Sequence, residues 1–231
     1  MKTLTETDVA YVCDIQAPCF QTLSKEEVDL VQASKTQVLF RKGENLTKQG
    51  AFASYVLFII DGLVKQYVEG DAPHNFNLAL FQSGDFVGLS AVFNKNTFNY
   101  STTAVRETKA FLIETSAIEN LVKQNGLFAF GIIKRYCEQD AVLYETIRTM
   151  HYKQMNGRLA GALLYLSSEA FEGEEIFKNL SRKEIAEFAG ISTESTVKLL
   201  KAFEKDGLIG LHEKDIHVIR REMIADISKR G

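Results

Sequence analysis

Glu194, Lys198, Lys201 and Lys205 recur at intervals of four, three and four residues. In a helix, at 100° per residue, they gather within an arc of about 60°. An ammonium group neutralises phosphate or donates to guanine, and a carboxylate accepts from the cytosine amino group. Such a face therefore suits a phosphate-lined groove with base edges on its floor. Glu194 and Lys198 also form an i,i+4 pair in the stabilising order, which would serve any solvated helix. The residues around them favour the first use.

Thr196, Leu199, Leu200 and Phe203 lie on the opposite face and supply packing, while Ser192 is placed to cap the helix start. Just upstream, Ser181 and Glu184 have capping-box spacing and predict the start of another helix, with Ile185, Ala186 and Ala189 as its apolar side. Gly190 then fits a backbone that must leave the helix at positive φ, and the small Ala186 allows a close helix crossing. A short helix, a glycine turn and a polar-faced second helix make a helix-turn-helix. Ser181, Arg182 and Lys183 at the first helix start, and Ser192, Thr193 and Ser195 at the second, join Glu194, Lys198 and Lys201 as candidate contacts to double-stranded DNA. Beyond Gly207, apolar residues 208–211, polar residues 212–215 and apolar residues 216–219 read as the two strands and turn of a wing.

The 231 residues, 45% hydrophobic, suffice for one large or two modest domains. No apolar stretch approaches the roughly 20 residues needed to cross a bilayer, and no signal-peptide core opens the chain, so a cytoplasmic protein is expected. Cys13, Cys19 and Cys137 are odd in number and lack zinc spacing, which predicts no disulfide framework and no metal site. The formal charge of −3 is not that of a broad nucleic-acid binder. From Lys178 onward, however, 11 Lys+Arg face 9 Asp+Glu, against 16 and 21 before it. That asymmetry predicts binding through a few placed contacts. No GxxxxGK[ST], GxSxG or HExxH motif is present, so no enzyme activity is expected.

Ser24 and Glu27 form a second capping box, predicting a helix to residue 33. Residues 38–40, 55–60, 63–68, 77–81 and 104–113 then read as strands separated by turns such as Asp61-Gly62 and Ser83-Gly84, a sandwich or barrel-like roll. A third capping box, Ser116 with Glu119, is expected to open a long helix reaching about Lys153. Within it Ala129, Ile133, Tyr136, Asp140, Leu143, Ile147 and Met150 alternate by four and three, as in a coiled-coil seam. The same pattern would serve an amphipathic helix lying on the β half. Asp140 departs from the apolar seam, and Cys137, between seam positions, is expected to pack. Asn156-Gly157 is expected to break the pattern, with a hinge across residues 152–158. A helix over residues 158–170 and a strand-like link over 172–177 follow.

The order β-roll, long helix, winged helix resembles the bacterial transcription regulators related to the cyclic-AMP receptor protein and the fumarate-nitrate reductase regulator. The resemblance rests on residues 40–50 (FRKGENLTKQG), 55–65 (YVLFIIDGLVK), 82–93 (QSGDFVGLSAVF), 104–114 (AVRETKAFLIE), 157–166 (GRLAGALLYL) and 181–207. It implies an α+β fold: a cyclic-nucleotide-binding-like sensor over 1–127, a dimerisation helix and hinge over 128–153, and a winged helix-turn-helix over 154–231. It also implies a homodimer on a palindromic operator, with RNA polymerase as a further partner. In this family the recognition helix carries a glutamate among basic residues. Glu194 keeps it, but Thr193 precedes it and Lys198 stands where an arginine would, which is no equivalent fork for guanine.

The sensor departs further. Cyclic-nucleotide binders of this family hold the ribose with a glutamate after the cassette glycine and the phosphate with an arginine. Here Leu89 follows Gly88, and Asn99-Tyr100-Ser101-Thr102 offers no cation. A phosphate buried there would be poorly paired, which argues against cyclic AMP. Gly88, Leu89, Ser90, Tyr100, Ser101 and Thr102 remain the expected effector pocket. An iron-sulfur cluster needs about four cysteine ligands, more than this chain has. Haem has formal ligands in His74, His151 or the N-terminal cysteines, and Cys13 or Cys19 could sense redox state. A hydrophobic metabolite, or no ligand, fits the remaining residues. The competing function is a small-molecule or haem receptor that acts through protein partners and keeps a vestigial winged helix.

Overall fold

In the computed structural model, residues 1–5, 8, 20–70, 75–94 and 96–231 are described. Cys13, Cys19 and His74, and the redox and haem roles considered for them, lie outside these residues. The chain divides into two compact units, Met1–Glu69 with Leu80–Ala141, and Gly70–Ala79 with Val142–Gly231.

In the first unit, β1 (Lys2–Leu4), a 3-10 turn (Phe20–Thr22), α1 (Lys25–Ala33), β2 (Lys35–Phe40), β3 (Asn45–Thr47), β4 (Tyr55–Asp61) and β5 (Leu63–Glu69) come first. Then follow β6 (Asn75–Gln82), which enters this unit at Leu80, β7 (Phe86–Val87), the short α2 (Ser90–Phe93), β8 (Ser101–Ala104) and β9 (Thr108–Glu114). One sheet has the order β1-β2-β9-β4-β7 and the other β3-β8-β5-β6. The run 104–113, expected as one strand, is two strands in different sheets. They part at residues 105–107, after the Val105 amide has extended the β8–β5 pairing by donating to the Leu63 carbonyl (2.7 Å).

Period-two alternation along β4 explains why it reads as continuously apolar. Leu57 and Ile59 join Val38, Phe40, Val64, Phe81, Val87, Ala104 and Ala110 in the core formed by residues of both sheets. Val56 and Phe58 join Phe20, Val31, Phe86, Phe111, Ile118, Leu121, Phe128 and Ile132 in a second core made with the helices. A strand covered on both faces needs apolar side chains at every position. Phe20 sits at the centre of the second core, its ring 5.6 to 5.7 Å from Phe58, Phe86 and Phe128.

The Ser24–Glu27 capping box forms as expected and opens α1. Ser116 does not cap. The following helix, α3 (Thr115–Gln124), starts earlier because the Thr115 amide finds the Ser54 carbonyl at 3.1 Å, and Glu119 pairs with Lys123 at 2.6 Å. Nor does one helix run on. Asn125 leaves α3 in extended conformation and its side chain accepts from the Phe128 amide (2.9 Å), starting α4 (Gly126–Tyr152) afresh.

Phe128 and Ile132 anchor the first turns of α4 in the core. Arg135 donates to the Gly84 carbonyl and lies 3.6 Å from Asp85. On the seam positions, Ile133, Tyr136, Leu143 and Ile147 are 59%, 42%, 37% and 56% exposed. Cys137 is exposed too, so the packing role expected for it is corrected.

The chain breaks after Tyr152, and α5 (Met155–Leu166) takes in Asn156 and Gly157 instead of being interrupted by them, because Gln154 already supplies the extended residue before the helix. A 3-10 turn (Glu169–Phe171) ends the region expected as helix to 170. Residues 172–177 are not strand-like. Glu175 takes a left-handed φ of 46° and leads into α6 (Ile176–Asn179). Next come α7 (Arg182–Ala189), α8 (Thr193–Lys205), β10 (Ile209–His212), β11 (Asp215–Val218) and α9 (Arg221–Arg230).

Buried Leu159, Leu163, Leu166, Ile185, Ala189, Leu200, Phe203 and Ile224 supply the apolar interior of this unit. Arg221 of α9 donates to the Ser167 carbonyl (2.9 Å), satisfying a carbonyl at the end of α5. Among the described residues no helix is long and apolar enough to cross a membrane.

Candidate functional site

The Ser181 hydroxyl accepts from the Glu184 amide (3.2 Å) while the Glu184 carboxylate accepts from the Ser181 amide (2.8 Å), so the first helix of the pair begins at the predicted residue. Gly190 ends it at φ 60°, ψ 39°, donating to the Ala186 carbonyl. A β-carbon at Gly190 would run into the Met150 thioether as well as strain the backbone. Met150, a seam position by its spacing, therefore packs against the turn. Ser192 caps α8 by accepting from the Ser195 amide (3.0 Å), and the Thr196 hydroxyl donates back to the Ser192 carbonyl (3.0 Å).

Thr196, Leu200 and Phe203 are buried, and Glu194, Lys198, Lys201 and Lys205 are exposed, as the helical spacing requires. Glu194 and Lys198 pair at 2.7 Å. In an exposed pair of this kind, screening leaves the two groups free to exchange partners. The cap residues Ser181, Ser192 and Ser195 are engaged with their own helix starts, and Thr193 is exposed at the first position of α8.

Lys183 is exposed, 3.8 Å from Glu187. Arg182 plays another part than an open contact. One guanidinium nitrogen donates to the Glu213 carbonyl (3.2 Å) in the wing turn and another is buried without a partner, and this burial lowers its pKa.

The wing pairs Ile209 with Val218 and His212 with Asp215, so its first strand starts one residue later and its second one residue earlier than the apolar pattern suggested. Leu208 and Ile219 lie just outside the ladder, where the Leu208 carbonyl accepts from the Ile219 amide (2.9 Å). Glu213 turns the hairpin at φ 53°. Glu204 of α8 accepts from the Leu211 amide (3.2 Å), tying the wing to the second helix. Sequence reasoning missed Asn77, which is buried and whose amide group donates to the Glu184 carbonyl (3.0 Å) and the Glu187 carboxylate (3.3 Å) within the second unit. Its polar character in an alternating strand was the only signal.

Of the six expected sensor residues, Gly88 and Tyr100 meet. The Gly88 amide donates to the Tyr100 hydroxyl (2.9 Å), and burial pushes the phenol up to about 12. Gly88 has φ 81°, and the Phe98 ring lies where a β-carbon would be. Leu89 is buried in the helix-side core. The Ser101 hydroxyl donates to the Glu69 carboxylate (2.5 Å) and accepts from the Gln49 amide (2.9 Å), and the Thr102 hydroxyl shares a hydrogen bond with Thr47 (2.9 Å). These groups thus form no open cradle.

A cavity of about 430 Å³ lies instead between α2 and α4, and only Ser90 of the six lines it. Its other walls include Phe93, Val122, Ala129, Ile132 and Tyr136. His151 is exposed on the last turn of α4, its ring edge-on to Tyr152 at 4.7 Å. No cluster of three or more His, Cys, Asp or Glu able to hold a metal occurs among the described residues.

Residues 37–125 match the cyclic nucleotide-binding domain family and residues 157–227 the Crp-like helix-turn-helix domain family. The chain belongs to the CRP/FNR family of transcriptional regulators. It is a DNA-binding regulator of that family, whose members are not enzymes. Among its relatives, the transcriptional activator protein anr of Pseudomonas aeruginosa is 22% identical over 90% of this chain and 87% of its own length. The cyclic AMP receptor protein of Thermus thermophilus is 23% identical over 92% and 97%. Among solved structures, FixK2 from Bradyrhizobium japonicum superposes with a TM-score of 0.76 at 18% identity, covering 85% of this chain and 98% of its own. That last likeness concerns the fold.

Proposed function

We propose that this CRP/FNR-family regulator works in the cytoplasm as a homodimer that reads a palindromic operator, and that its effector is not cyclic AMP. The exposed face of α8 carries the reading. Glu194, Lys198 and Lys201 project from a helix whose other side is buried, while Arg182 and Glu204 hold the wing beside it. Glu194 then accepts from base edges, Thr193 and Lys198 help define this protein's own site, and Lys183 and Lys201 engage phosphates. The exposed stripe Ile133, Tyr136, Leu143 and Ile147 supports α4 as the dimer seam. Two copies so joined would present their recognition helices to successive major grooves, about one helical turn apart. The resemblance implies RNA polymerase as the downstream partner.

Against cyclic AMP stands the chemistry of the cassette. Leu89 offers no carboxylate for a ribose, and Glu69 brings a negative charge onto Ser101, where a cyclic phosphate needs a cation. The relatives do not select an effector, since a cyclic AMP receptor protein and a transcriptional activator protein match about equally well. Selection from a library of random duplexes at moderate salt tests the operator reading, and it is expected to enrich a two-fold symmetric sequence. Absence of any enriched palindrome would sink it. Isothermal titration with cyclic AMP is expected to give no heat of binding, and micromolar affinity would overturn the reading of Leu89 and Ser101.

A further inference from the structure

We propose, resting on the operator reading above, that His212 and His217 form a proton-linked phosphate contact on the wing, so that DNA is held more tightly as pH falls through the imidazole range. Cross-strand pairing puts Gly210, His212, Asp215 and His217 on one face of the β10–β11 hairpin. On the other face Ile209 and Ile216 are buried, so the polar face is the outer one. Gly210 stands opposite His217, and a β-carbon there would lie 3.5 Å from Nε2 of His212. The His212 ring thus leans over the glycine, and the two imidazoles meet edge to face with their centres 5.3 Å apart. Both are exposed, the His217 side chain to 60%.

Two imidazoles so close gain their protons in turn, because the first positive charge disfavours the second. A phosphate oxygen beside the pair offsets that repulsion and accepts from both rings. DNA binding then takes up protons, and by linkage protons tighten DNA binding. An imidazole changes charge between pH 5 and 8, where Lys and Arg do not. The neighbouring charges are already engaged or lie off this face. Within the hairpin, Asp215 lies 3.3 Å from Nε2 of His217, and Glu213 and Lys214 are exposed at the turn. Asp215 also faces Lys178 of α6 and Arg182 of α7, which offset its charge toward a phosphate. Glu204 of α8 accepts from the Leu211 amide, and Lys205 and Asp206 are exposed at the end of that helix. Beyond β11, Arg220 turns to Met223 and Arg221 to Ser167. Glu204 and Arg182 hold the hairpin beside α8, so a duplex seated on α8 brings its backbone to the wing.

Fluorescence anisotropy of labelled duplexes with the full chain, at constant ionic strength and with EDTA in every buffer, reads the linkage. Binding is expected to be at least about tenfold tighter at pH 6 than at pH 8, on a selected operator and on random duplex alike, because every duplex offers phosphate. His212→Gln and His217→Gln are each expected to reduce that change to less than about threefold, since a lone imidazole has no paired repulsion to relieve. His151→Gln, on the last turn of α4, is expected to keep it. His212→Arg carries a fixed charge and is expected to bind at pH 8 about as tightly as the native chain does at pH 6. Circular dichroism checks that each variant folds. Native binding that does not change with pH, a pH dependence kept by both glutamine variants, or a His212→Arg chain no tighter than native at pH 8 overturns the proposal and leaves the operator reading intact. Binding to no duplex at either pH overturns both.

Discussion

The Gly88 amide and the Tyr100 hydroxyl lie 2.9 Å apart, so the cassette's own backbone donor is already taken by a phenol from the same chain. Tyr100 lies in the stretch 99–102, the region where the family resemblance implies a phosphate-binding arginine. It fills the role of anion with a neutral oxygen, and its ring lies against Phe81 at 6.2 Å. Replacing Tyr100 by Phe leaves the Gly88 amide unpaired at an expected cost of about 1–3 kcal/mol. Urea denaturation at pH 7 measures that loss.

The same phenol makes stability fall in alkali. Its pKa is about 12 in the folded chain against 10.0 for an ordinary tyrosine. Between those values the unfolded chain has released this proton and the folded chain has not, so folding becomes less favourable as pH rises through the window. Desolvation of the phenolate is the main cause. The urea midpoint of the native protein is therefore expected to drop more steeply from pH 10 to 12 than that of Tyr100→Phe. Parallel curves would show that Tyr100 is not shifted.

Glu194 and Lys201 separate base reading from backbone attraction. Glu194→Ala is expected to relax preference at one base pair per half-site, costing about 1–3 kcal/mol there. Lys201→Ala is expected to weaken specific and random DNA alike. It should also reduce the slope of log K against log salt by about 1.8 for a dimer, at about 0.9 for each phosphate released. Competition binding across a salt series distinguishes the two. Equal losses on both kinds of DNA in both variants would refute the assignment.

The helix-turn-helix was legible because its signals are local. Ser181 and Glu184 satisfy each other three residues apart, and Gly190 needs positive φ where the helix ends. Ser116 and Glu119 show the same spacing and fail, because Ser54, 61 residues away, takes the first-turn amide of Thr115. Asn125 restarted the helix by a side-chain cap that an apolar seam count ignores. The partners of the expected sensor residues were illegible for a related reason. Family spacing points to Gly88 and Ser101, but whether Tyr100 and Glu69 already occupy those groups depends on strands brought together only by folding. Asn77, 107 residues from Glu184, is the extreme case.

Gly190→Ala tests how tightly the turn is built. An alanine at φ 60° costs about 1–2 kcal/mol in backbone strain. Displacing Met150 to admit its methyl adds an overpacking penalty of about 1–3 kcal/mol. A total of about 2–5 kcal/mol is expected, read as a lower urea midpoint with unchanged m-value. A loss below 1 kcal/mol would mean that Met150 moves aside freely.

The α4 seam answers to charge. Ile133, Tyr136, Leu143 and Ile147 leave an apolar stripe whose spacing is four and three, and Asp140 interrupts it without ending it. A further carboxylate in the stripe would have to be desolvated on pairing, at a cost of several kcal/mol that a coiled-coil seam of this length cannot absorb. Ile147→Asp is accordingly expected to sediment as a monomer at micromolar concentration where the native chain is a dimer. Because Ile147 is exposed in the single chain, its melting temperature measured well below the dimerisation range is expected to stay within a few degrees of the native value. Binding to a two-fold symmetric site then falls far more than binding to one half-site. A monomeric native chain, or an Ile147→Asp dimer of undiminished affinity, would place the dimer contact elsewhere and return α4 to the β half.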